Sequence, residues 1–178
     1  YRTAVPRYPV AANLRRDESN PTACHRAPHL GAKGGLIMAR PTTRSLEDMP
    51  APSNFSNLLG IEVVRCTPAE VICHMTVTPE MSNRNGVLHG GALMTLSDTA
   101  AGTLAFINSA AEFSNTTVEA KTNFMRPVHV GDTLVAHSVP LHVGRTTLVL
   151  QVTMTRGDGK VAGVTSQTHL LLGWKDEK

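Results

Sequence analysis

Hydrophobic and polar residues follow two different periods along this chain. The stretches IEVVRCT (61–67) and EVICHMTVT (70–78) alternate in polarity and are rich in β-branched residues. With only Pro68 and Ala69 between them, they predict a hairpin. Between 89 and 108 the period of two disappears. Leu93, Met94, Leu96, Ala100, Ala101, Leu104, Ala105 and Ile107 cover most of a helical circumference, which predicts a helix buried nearly all round. Four more strand-like runs follow at 116–125, 132–143, 145–156 and 160–174, each rich in Val, Thr, Leu or aromatics. RPVHVG, between the first two of these, is long enough for a crossing connection, whereas Gly144 and GDG suit hairpins. Pro140 inside a strand predicts an edge, bend or bulge there. One buried helix among antiparallel strands predicts an α+β domain, with a sheet of about six strands wrapped around the helix.

At 178 residues and 41% hydrophobic content the chain suits one globular domain with a packed core. The net charge of +3 hints at an acidic partner, but its distribution removes the hint. Residues 1–40 hold seven basic residues against two acids, a net of +5, and leave −2 for the rest. A nucleic-acid role would rest on that tail alone. The tail has scattered Pro and Gly, no period and no Met before Met38. Residues 1–52 are therefore expected to be a disordered or non-native leader and linker, with the domain at 53–178. Asp17, Glu18 and the prolines argue against an organelle-targeting helix. No apolar run reaches the roughly 18 residues of a membrane span.

Cys24, Cys66 and Cys73 are odd in number and lack CxxC spacing, which suits neither a disulfide framework nor a zinc knuckle. A reducing cytoplasm is the expected setting, with Cys66 and Cys73 as small core residues.

Candidate chemistry centres on NRNGVLHGGALMTLSDTA (83–100). A helix starting near Gly90 presents unpaired amides and the positive end of its dipole. Gly90 and Gly91 lack side chains, so a carbonyl or anion could approach those amides as in an oxyanion hole; equally, they could simply turn the chain. Asp98 is costly in so apolar a helix. Its small neighbours leave space beside the carboxylate, which suits a general base or nucleophile, or a structural Asp at an oligomer seam. Eight residues of helix span about 12 Å, so Gly90 and Asp98 of one chain cannot reach one carbonyl carbon. If they cooperate, two copies related by a two-fold axis complete the site. His89 has no second ligand at metal spacing, so no metal is expected.

NGVLHGGALMTLSDTAAG, TTVEAKTNFMRPVHVGDTL and VGRT together resemble the hotdog-fold acyl-CoA thioesterases of the phenylacetic-acid-degradation type, over about residues 54–174. The resemblance implies that the Gly90 amide, with Gly91 beside it, polarises a thioester carbonyl. Asp98 of the neighbouring subunit would activate water or attack. Asn83 and His89 match a polar pair that holds the thioester or the water, with Asn85 as a nearer alternative to Asn83. Thr117 stands where some members place a water-positioning serine. CoA phosphates would need cations, for which Arg126, Arg145 and Lys121 are the candidates. The resemblance further implies an acyl-CoA substrate, no cofactor, no nucleic-acid or membrane partner, and self-association as a dimer or homotetramer. The competing expectations are an acyl-thioester dehydratase, whose pattern HGG…D does not fit, and a non-catalytic acyl-CoA-binding module, against which Asp98 argues. The other histidines, His74, His129, His137, His142 and His169, read as structural or surface groups. Phe106, Phe113 and Phe124 are either core or pocket wall.

Overall fold

The computed structural model describes Arg44 and residues 46–173. These belong to a unit spanning Ala39–Lys178. Most of the expected leader, together with Cys24 and Trp174, lies outside the described residues. Within that leader, Arg44 is anchored to the domain, donating to Ser109 Oγ (2.8 Å) and to the Phe113 carbonyl (2.7 Å).

A short helix α1 (Asn54–Leu58), capped by the Ser53 hydroxyl on the Ser56 amide, leads into the predicted hairpin of β1 (Glu62–Cys66) and β2 (Val71–Thr76). The long helix α2 (Gly90–Ile107) follows, then β3 (Phe113–Phe124), β4 (Thr133–Val143), β5 (Thr147–Thr155) and β6 (Val161–Gly173). All six strands form one sheet in the order β1-β2-β4-β5-β6-β3, every pairing antiparallel. This is the wrapped arrangement that the periods and the resemblance imply. RPVHVG carries the chain across, from β3 at one edge to β4 between β2 and β5. Pro140 marks a bulge in β4. It also lies beyond Ser138, where pairing with β2 ends, so its missing N–H costs no ladder bond on that side.

Along β5, Leu148, Leu150, Val152 and Met154 are fully buried while the residues between them are half-exposed. Each such side chain contributes about 1.5–3 kcal/mol of apolar burial. They face α2, which turns Leu93, Leu96, Ala100, Ala101, Leu104 and Ala105 toward the sheet. Cys66 and Cys73 are buried core residues, and burial pushes their thiols up to about 11 and about 12. Both are inert as nucleophiles.

The helix is not buried all round. Gly91, Met94 and Asp98 form an exposed stripe at spacings of three and four, continued by half-exposed Thr95 and Gly102. One sheet from one chain wraps only part of the circumference, so the apolar composition overstated the burial. β3 is uncovered as well, exposed or half-exposed over its whole length. A bulge between Thr117 and Glu119 makes Val118 the extra residue and shifts the strand's alternation.

Candidate active site

The loop before α2 is pinned on both sides. Asn83 donates its amide to the Val87 carbonyl, and Leu88 donates to Val128 in the crossing connection. The chain thereby delivers His89 as the N-cap of α2, in extended backbone with φ −65° and ψ 134°. His89 Nδ1 accepts the Gly91 amide at 2.9 Å. Because Nδ1 accepts, the ring carries its proton on Nε2 when neutral, as an exposed donor. The Ala92 and Leu93 amides are taken by the His89 carbonyl. The Gly90 amide, first in the helix, meets no acceptor among the described residues. Of the two glycine amides singled out from the sequence, it alone is open to a ligand.

That amide borders a groove of about 410 Å³ lined by Asn83, Leu88, Gly90, Leu93, Phe124 and Arg126, with Met125, Pro127 and Val128. Phe124 is a pocket wall: a Cβ on Gly90 would come within 3.2 Å of its Cε1. The Asn83 side-chain carbonyl is used locally, accepting the Asn85 amide at 2.8 Å, which leaves its NH2 group for the groove. Asn85 itself contributes backbone to this turn, with its side chain out in solvent. Arg126 is tethered by Nη1 to the Val161 carbonyl at 2.7 Å. The connection carrying it is held from behind by Arg156, which donates to the Pro127 carbonyl (2.8 Å) and pairs with Asp158 (2.6 Å). The Arg156 hydrogen bond keeps the Asp158 carboxyl down at about 2.

The second half of the site lies further along the helix. Thr117 Oγ1 donates to Asp98 Oδ1 at 3.1 Å, so the threonine and the carboxylate read separately from the sequence form a contact pair. The space beside them is open: Met94 is exposed, and a Cβ on Gly102 would touch nothing. Three further contacts tie β3 to the elements behind it. Asn115 Nδ2 donates to the Gly102 carbonyl (3.4 Å) and meets His169 Nδ1 (3.5 Å). Thr122 bonds Thr165 at 2.9 Å. His169 is fully buried and reaches Gln167 Oε1 through Nε2 at 3.0 Å. Burial lowers the pKa of this ring, against a smaller opposing effect of the Asp98 charge.

Not every residue singled out from the sequence gathers here. Thr122 and Phe124 face α2, so Lys121, one residue before Thr122 and out of phase with both, projects from the opposite face of the sheet. Arg145 sits in the β4–β5 turn, near Leu171, whose amide bonds the Thr146 carbonyl. Gly90 adjoins Phe124, which pairs with Gly163. Eight residues of strand separate those levels, about 25 Å. Arg145 therefore lies toward the Asp98 end, since Thr117 pairs with His169 and His169 with Leu148. Sequence reasoning missed the pairing of Thr117 with Asp98 and the contact of half-buried Asn115 with buried His169 and Gln167. Its one signal was the polar run TSQTH (165–169) in the middle of a strand that is apolar at both ends.

Comparison with known proteins bears out the hotdog fold that the sequence implied. Residues 85–162 match the family model described as Thioesterase superfamily. Human acyl-coenzyme A thioesterase 13 is 32% identical over 125 residues, covering 67% of this chain and 89% of that protein. The acyl-coenzyme A thioesterase PaaI of Escherichia coli K12 is 30% identical over 116 residues, covering 65% and 81%. The solved structure of the E. coli PaaI protein from the phenylacetic acid degradation operon superposes with a TM-score of 0.65 at 26% identity, over 68% of this chain and 86% of that one. Among the described residues no helix is long and apolar enough to cross a membrane.

Proposed function

Because the chain belongs to the thioesterase superfamily, we propose that it hydrolyses an acyl-CoA thioester to the free acid and CoA, at a site completed by a second copy of itself. The observation that carries this reading is the split of the site. An open amide beside an apolar groove and a carboxylate–threonine pair lie at two levels of one helix, about 12 Å apart by helical rise. Both border a face that the described residues leave uncovered. Two copies meeting on that face by a two-fold axis, helices antiparallel, would bring Gly90 of one against Asp98 of the other. A further pairing of such dimers gives the homotetramer; a cytoplasmic setting suits the unbridged cysteines.

In the completed site the thioester carbonyl oxygen lies on the Gly90 N–H, with His89 Nε2–H and the Asn83 amide as further donors. Asp98 of the partner, steadied by Thr117, takes a proton from a water molecule as the water oxygen bonds to the carbonyl carbon. The C=O electrons move onto oxygen, where one well-placed donor contributes about 3 kcal/mol or more. Collapse re-forms the carbonyl and breaks the C–S bond, and the CoA thiolate leaves and takes up a proton. In the alternative course an Asp98 carboxylate oxygen bonds to the carbon, the C–S bond breaks with departure of the CoA thiolate, which takes up a proton, and water cleaves the resulting anhydride to the free acid and the Asp98 carboxylate. Arg126 is the groove-side cation for the CoA phosphates, and Arg145 would accompany the partner's Asp98. Lys121, on the far face, has no part in this arrangement. No step needs a cofactor.

The experiment is release of free CoA from phenylacetyl-, hydroxybenzoyl-, hexanoyl- and palmitoyl-CoA by wild type and by Asp98→Asn. Hydrolysis that falls by about 10²-fold or more in a still-oligomeric variant is the expected result. Tight binding without turnover by either protein would replace the enzyme with an acyl-CoA-binding module.

A further inference from the structure

Among the described residues, His169 is the one buried titratable group next to the Asp98–Thr117 pair for which this hydrolysis has no use. We propose that His169 is a positioning residue for the reaction: through Asn115 it fixes β3 against α2 at the height where Thr117 meets Asp98. The inference rests on the thioesterase reading of that site.

The hydrogen bonds determine the state of the ring. The Gly102 carbonyl can only accept, so the Asn115 atom facing it is the NH2 nitrogen. The same nitrogen faces His169 Nδ1, which must therefore be the acceptor. The ring proton is then on Nε2 and goes to Gln167 Oε1. A neutral ring completes this chain of bonds from β6 through β3 to the helix. A protonated ring would aim an N–H at the Asn115 NH2 and break it. The groups facing His169 are Asp98 from α2, Asn115 and Thr117 from β3, Leu148 from β5 and Gln167 from β6. Asp98 is the only charged group among them.

The arrangement matters because β3 is an edge strand with solvent on much of its surface. Two rungs join its first half to the helix: Asn115 to Gly102, and Thr117 to Asp98. Gly102 follows Asp98 by one helical turn, and Asn115 precedes Thr117 by one strand repeat, so the rungs are parallel and adjacent. The Thr117 rung is exposed and ends on a carboxylate that must be free to take a proton. The Asn115 rung backs onto a fully buried ring and can set the spacing for both.

The test is steady-state hydrolysis of an acyl-CoA turned over by wild type, compared for His169→Leu, His169→Gln and Asn115→Ala, with thermal unfolding of each. Leu fills the space of the ring without its hydrogen bonds, whereas Gln can donate to Gln167 and accept from Asn115. Expected for His169→Leu is a kcat reduced roughly tenfold or more at nearly unchanged KM, the signature of a misplaced group rather than lost binding. Its unfolding temperature should fall by a few degrees, because the buried Gln167 Oε1 loses its donor, so kcat is compared at a temperature where every variant is folded. His169→Gln should recover most of kcat. Asn115→Ala, which leaves the ring in place, should show the same kcat loss and carries the test if His169→Leu does not fold. If wild type is active while His169→Leu and Asn115→Ala keep full kcat, the inference is overturned and the thioesterase reading stands. It is overturned too if activity in all three variants simply follows their stability. Absence of CoA release by wild type from every thioester would overturn both.

Discussion

β5 and β3 flank β6 on its two sides, both bond to it along most of their length, and both read as strands from similar mixtures of Thr, Val and polar residues. Their surroundings differ sharply. Every second residue of β5 is sealed under the helix, while no residue of β3 is fully buried and Val118, 56% exposed, stands at its centre. The helix shows the same division, with Leu96, Ala100 and Leu104 closed against the sheet while Met94 and Asp98 stand open. One half of the molecule is finished within a single chain; the other presents a strand edge, apolar side chains and the only carboxylate of α2 to solvent. The groups proposed for chemistry thus lie on the unfinished half, as expected if a second copy completes it.

A charge placed in the seam should have the largest effect. Val118→Asp is expected to leave a folded single chain, judged by circular dichroism, whose sedimentation mass is that of one copy and whose thioesterase activity has fallen to background. An active monomer would show that the open half needs no partner. The next largest effect concerns the open amide. Gly90 is the first helical residue and His89 already has the extended backbone that a following proline requires. Gly90→Pro therefore deletes the N–H with the helix kept, and kcat should fall by about 10²–10³-fold. Gly90→Ala is the control that keeps the amide and displaces only the Phe124 ring, which is 57% exposed and free to move. It should retain most of the activity; equal losses in the two variants would remove the amide from the mechanism.

A smaller change is expected in the finished half. Burial lowers the pKa of His74 and His169 below the ordinary value of about 6.5. The unfolded chain then binds more protons than the folded one as pH drops past that value, so stability is complete above about pH 7 and declines toward pH 5. The unfolding temperature should be level from pH 7 to 8 and lower by a few degrees at about pH 5.5. His169→Gln should remove part of the decline.

Much of this fold was legible in the sequence because its cues are local. Alternation marked six strands, loss of alternation marked the helix to within a residue or two, and Pro140 marked a bulge. The helix start at Gly90 came from HGG. The features that escaped were non-local. The bulge at Val118 inserts one residue and reverses the facing of the rest of β3, so Lys121, a candidate cation for the CoA phosphates, projects from the far side of the sheet. An apolar circumference cannot tell burial under the chain's own sheet from a stripe left for a partner, and the helix was read as closed where Met94 and Asp98 are open. Asn115, Gln167 and His169 come from two strands that meet only in the folded sheet, and no spacing in the sequence links them. The site itself was half legible. Gly90, Asn83 and Arg126 gather at one groove and Thr117 meets Asp98, whereas Arg145 lies at the other end of the chain's own sheet and Gly91 spends its amide on His89.

Complementation is the direct test of whether two copies complete one site. Gly90→Pro and Asp98→Asn, each nearly inactive alone, are mixed in equal amounts, dissociated and reassociated. Random pairing makes half the dimers mixed, and in each of those one of two sites has both groups intact, so about a quarter of wild-type activity should return. Activity no higher than the mean of the two parents, in a sample whose mixed dimers are verified by mass, would contradict the shared site.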